Sequence, residues 1–118
     1  MSDKVSQAVE YMSGAYSCSQ SVLCAFCEDA EISHEEAKKI GAEYSAGKKI
    51  KCGALCATEI VLEKKFGNAA ADKIADVDKQ FLEKVGAVNC RDIRRKNLRP
   101  CIGCVEDSAT ILSKILRQ

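Results

Sequence analysis

The side chains able to do chemistry here are mostly sulfur: eight cysteines stand in 118 residues, beside one His, one Pro and no Trp. Four of them, Cys18, Cys52, Cys90 and Cys101, fall where the apolar spacing places the first turn of a helix. Unpaired backbone N–H groups and the positive end of the dipole favour a thiolate over a thiol there. Basic neighbours add to the effect: Lys48, Lys49 and Lys51 precede Cys52, while Arg91 and Arg99 flank Cys90 and Cys101. Such thiolates can exchange with disulfides or ligate a soft metal. The competing explanation is packing, since a small thiol fits a crowded helix start.

The remaining cysteines are less regular. Cys24 and Cys27 form a CAFC pair, and Cys101 and Cys104 form CIGC, both on the apolar face of Val105, Ala109, Leu112 and Leu116. At ~100° per residue, Val22, Leu23, Phe26 and Ala30 define a buried side that Cys24 points away from, which predicts an incidental surface thiol. About 70 residues separate the two pairs, far beyond zinc-ribbon or zinc-finger spacing. A zinc site would need the fold to join them. Neither pair is followed by His, Glu28 and Val105 standing there instead, which excludes a c-type haem.

Cys52, Cys56, Glu59 and Glu63 share a helix face at i, i+4, i+7 and i+11. Glu59 is a proton acceptor or extra ligand beside the thiols on one reading, and a solvated acid on the reading we favour. His34 reads as a solvated surface residue. The run Arg91, Arg94, Arg95, Lys96 and Arg99 reads as a solvated basic face able to meet an anion or acidic partner; no aromatic residue is interleaved to suit nucleic acid.

The elements that position these residues are all helical. The pattern predicts one compact all-α domain over residues 1–118, with helices near 3–13, 17–30, 34–43, 52–66, 69–85, 90–96 and 101–117. Gly14, Gly67 and Gly86 stand where left-handed C′ residues are wanted, and Ser33 with Glu36 reads as a capping box. Asn89 serves as an N-cap, Pro100 precedes the last helix, and Tyr44 to Lys51 is the longest loop. Eighteen basic against 17 acidic groups argue against broad binding of nucleic acid or anionic membrane. No run approaches the ~20 apolar residues of a membrane span, and Met1 to Met12 lacks the apolar stretch of a signal peptide. A cytoplasmic setting is expected, where structural disulfides do not last.

The spacing also carries a resemblance. Gly14-Ala-Tyr-Ser-Cys18-Ser-Gln, Cys52-Gly-Ala-Leu-Cys56-Ala57, Phe81 with Gly86 and Asn89-Cys90-Arg-Asp92, and Pro100-Cys101 with Val105, Asp107 and Ala109 stand in order along the chain. Together they resemble the small redox-active proteins named for their cysteine pattern, the C_GCAxxG_C_C family, which also takes in the split-Soret cytochromes. The resemblance runs from about Gly14 to Leu112 and carries the family's four cysteines over to Cys18, Cys52, Cys90 and Cys101. It implies a helical fold and a thiol-based redox or metal role. Ala57 departs from the motif's last Gly, Cys24, Cys27, Cys56 and Cys104 are additions, and Glu59 stands where the family usually has an apolar residue.

Two functions follow as expectations. The first is a cytoplasmic thiol–disulfide redox protein, a possible oxidoreductase, with Cys52 as the most activated of the four cysteines and a redox protein or small thiol as partner. The alternative is a module holding zinc or an iron–sulfur cluster on Cys18, Cys52, Cys90 and Cys101, with Cys56 and Cys104 able to join.

Overall fold

The computed structural model describes residues 3–44 and 50–117 and bears out the all-α expectation. Among these residues seven α-helices run in order: α1 (Asp3–Ser13), α2 (Cys18–Ala25), α3 (His34–Ala42), α4 (Gly53–Phe66), α5 (Ala70–Val85), α6 (Cys90–Arg95) and α7 (Cys101–Leu116). A 3₁₀ turn, Gly67–Ala69, joins α4 to α5. Helix α4 is the hub, packed on α2, α5 and α7, while α1 lies against α2 and α7. Its first six residues, Gly53 to Thr58, are all buried, so its N-terminus lies inside the molecule.

Ordinary amphipathic logic builds the rest. On α5, Val77, Phe81 and Val85 turn inward at helical spacing and the helix stops at Gly86, whose φ of 103° suits only glycine comfortably. On α7, Val105, Ala109, Leu112 and Ile115 join the same core, which also takes Val22, Leu23 and Phe26 from α2 and Leu55, Val61 and Leu62 from α4.

Several local expectations are corrected. The second helix ends at Ala25 and not near 30, and the chain continues through turns to Glu31 at φ 57°. Glu28 and Asp29 would oppose the negative end of a longer helix dipole; Asp29 instead pairs with Lys4 and Lys65. Gly14 does not take a positive φ. Ser33 accepts from the Glu36 N–H, which is half a capping box; the reciprocal box lies at Ser17 and Gln20, just ahead of Cys18. The loop positions 45–49, with Lys48 and Lys49, lie outside the described residues.

Two devices hold the starts of α4, α6 and α7 in place. Lys51 and Asn89 form an isolated antiparallel bridge, in which the Cys52 N–H donates to Val88 C=O at 2.8 Å and the Cys90 N–H to Ile50 C=O at 3.1 Å. The starts of α4 and α6 are thereby held side by side. At the start of α7, Arg99 donates to both oxygens of buried Asp107, at 3.0 and 3.3 Å, and lies across Gly103. A Cβ on Gly103 would stand 2.5 Å from the Arg99 Nε. Removing the arginine strands the buried Asp107 carboxylate, so Arg99→Ala is expected to cost about 3 kcal/mol in urea unfolding; a cost below about 1 kcal/mol would show that the clamp is only surface electrostatics.

Candidate functional site

The four helix starts converge. Cys18, Cys90 and Cys101 are the first residues of α2, α6 and α7, and Cys52 is the N-cap of α4. All four line one cavity of about 20 Å³ together with Gly53, Ile93, Arg94, Arg99 and Cys104. Cys52, Gly53, Ile93 and Cys104 are buried and make its floor; Cys18, Cys90 and Cys101 are half-buried, and Arg94 is exposed at the rim. None of the eight cysteines is in a disulfide.

Each sulfur is positioned by identifiable local structure. The Ser17–Gln20 box fixes the first turn of α2, and Gln20 also donates to Lys38 C=O at 2.9 Å, tying α2 to α3. Ser19 donates to Gly41 C=O from the next position. Gly53 then lets Cys18 approach α4: a Cβ there would lie 2.7 Å from the Cys18 Sγ and 2.6 Å from the Tyr44 carbonyl oxygen. That contact gives the glycine after Cys52 a steric reason.

Cys52 and Cys104 form an unequal pair. The Cys104 S–H donates to the Cys52 sulfur and, against the cost of burial, lowers the Cys52 pKa to about 7; the N–H groups of Leu55 and Ala54 and the Arg94 charge assist. Neither N–H closes a regular capping hydrogen bond, but both point positive charge at the sulfur. The same interaction pushes the Cys104 thiol far up, with burial adding to it. Of the two, Cys52 is the sulfur that ionises first. At the rim, Arg94 donates to the Cys101 Sγ at 3.9 Å. Burial raises the Cys90 pKa, with Arg94 opposing.

Other candidates lie elsewhere. Cys56 faces away from the cavity, its S–H 3.7 Å from Lys51 C=O, and burial pushes its pKa up to about 11. Cys24 is not a surface thiol. It is 3% exposed, its S–H lies 3.8 Å from His34 C=O, and burial lifts its pKa to about 11. The helix turns inward on the Cys24 side as well because α3 covers that face. His34 is half-buried, with Nε2 2.8 Å from the Tyr16 hydroxyl beside the stacked ring of Tyr11. Lys51 does not serve the Cys52 thiolate; its ammonium bridges Glu59 at 2.8 Å and Asp78 at 2.9 Å. Glu59 is therefore a tied acid and not a solvated one, and burial with the Asp78 hydrogen bond raises its pKa to about 7 against the pull of Lys51.

Among the described residues, no three His, Cys, Asp or Glu side chains converge closely enough to hold a metal ion. The cavity of about 20 Å³ has room for one water-sized atom, not a cluster. The sulfurs are soft donors, but this geometry does not fit a cluster and no step is derived through one.

On the sequence alone, Arg94 grouped with a solvated basic face and Cys104 stood as an optional neighbour. The signal for both was helical spacing: Arg94 is i+4 from Cys90, and Cys104 is i+3 from Cys101.

Two expectations test these electrostatics. Cys104→Ala should move the Cys52 thiolate titration, read by ultraviolet absorbance and alkylation rate, from about 7 toward the ordinary thiol value of 9.0; an unmoved midpoint would leave the helix end and Arg94 as the causes. Glu59 keeps its proton to about pH 7 when folded but titrates near 4.5 when unfolded. The folded chain binds the extra proton between those values, so the Glu59 contribution to stability is full at low pH and is lost as pH rises to about 7. Glu59→Gln should remove that slope from urea unfolding measured across the window.

No curated protein and no solved structure matches the chain significantly. A protein family described as "Putative redox-active protein (C_GCAxxG_C_C)" matches residues 16–115. That span holds all four helix-start cysteines, and the chain belongs to the C_GCAxxG_C_C family.

Proposed function

We propose that the chain is a thiol–disulfide redox protein in which Cys52 closes a disulfide on a cysteine at the cavity mouth. The observation that supports this reading is the convergence of Cys52 and Cys101 on one cavity, with the buried Cys52 thiol lowered to about pKa 7 by Cys104 beside it. A thiolate with pKa close to ambient pH combines a large charged fraction with good nucleophilicity. Cys52 is 6% exposed, so a bulky external disulfide reaches it poorly. Cys101 is half-buried at the mouth, with an arginine on its sulfur.

The cycle then divides by accessibility. The Cys101 thiolate attacks one sulfur of an external disulfide; the S–S bond breaks, one thiolate leaves and takes a proton, and Cys101 carries the mixed disulfide. The Cys52 thiolate attacks the Cys101 sulfur and expels the second thiol. Two protein thiols lose two electrons and two protons, and one disulfide becomes two thiols. Cys104 acts through Cys52, holding its charge until the sulfur bonds. Cys18 and Cys90 line the same space and take no step in this cycle.

Trapping tests the assignment. Treated with a limiting small disulfide, the protein should yield a Cys52–Cys101 disulfide by peptide mapping and no lasting adduct. Cys52→Ser should leave the adduct on Cys101 and slow its clearance at least about tenfold. Equal clearance in the variant would remove Cys52 from the proposed role.

A further inference from the structure

We infer that the cavity mouth selects small disulfides bearing carboxylates, drawn to Cys101 by Arg94. The inference rests on the thiol–disulfide reading and adds the chemical class of its substrate.

The cavity of about 20 Å³ admits little more than one atom, so a substrate must lie over the mouth and lower only a sulfur into it. The charge at that mouth is then the surface the rest of the substrate meets. Two arginines line it, and they differ. Arg99 is neutralised, bound to Asp107 at 3.0 Å and Glu106 at 3.4 Å. Arg94 is exposed and directs its guanidinium to sulfur, donating to the Cys101 Sγ. Its charge also acts on Cys90 and Cys52.

The surrounding helix has the same sign. Arg91, Arg94, Arg95 and Lys96 are all exposed on or just after α6, against Asp92 alone. A carboxylate on the substrate can therefore meet a guanidinium while its sulfur lies over Cys101. An ammonium in the same position would be repelled. Charge of this kind acts mainly on the rate of encounter and fades with salt.

Three disulfides of similar size separate the outcomes: dithiodipropionate with two carboxylates, hydroxyethyl disulfide with none, and cystamine with two ammonium groups. The rate of protein disulfide formation is measured for each at low salt and at about 0.5 M salt. Dithiodipropionate should react about tenfold faster than cystamine at low salt, with the neutral compound between them. The ratio should fall toward one in Arg94→Gln and at high salt, even where that variant slows all three. Equal rates in the unaltered protein, or an undiminished ratio in Arg94→Gln, would overturn the inference while leaving the redox reading intact. Failure of all three to oxidise the protein would overturn the redox reading and this inference with it.

Discussion

The N-terminus of α4 is buried, and its N-cap residue, Cys52, closes no side-chain cap hydrogen bond. Such an end carries partial positive charge in a medium that cannot screen it. The chain answers with sulfur. Cys52 stands at the cap, and its charged form is stabilised by the N–H groups of Ala54 and Leu55 and by the Cys104 S–H. The thiolate and the buried helix end satisfy each other, which is why burial does not simply suppress ionisation there as it does at Cys24 and Cys56.

The other elements bring sulfur to that end. The Lys51–Asn89 bridge fixes α6 beside α4, the Arg99–Asp107 pair fixes the start of α7, and the missing Cβ of Gly53 admits Cys18. Three unrelated devices thus serve one cavity. Its small volume separates a buried nucleophile from half-exposed thiols at the mouth, and this division makes a two-step exchange reasonable.

Much of this was legible in the sequence. Helical periodicity located all seven helices, and the helix starts at Cys18, Cys52, Cys90 and Cys101 followed from local signals. What stayed hidden was tertiary. Cys24 looked solvent-facing because one helix's apolar stripe cannot show that α3 will cover its other side. Lys51 looked like a partner for Cys52 because they are neighbours in the chain, yet its side chain reaches Glu59 on α4 and Asp78 on α5. The bridge between Lys51 and Asn89 has no local signature, being one pair of residues without a strand on either side.

Eight thiols, on this view, contain one working pair at a single site. Equilibrating the protein across a graded thiol–disulfide redox buffer and counting remaining thiols tests that claim most directly. Eight thiols less two should leave a plateau of six, reached in one transition with a two-electron slope and absent in Cys52→Ser. A count that stays at eight, or that falls without a plateau as unrelated pairs oxidise together, would contradict it.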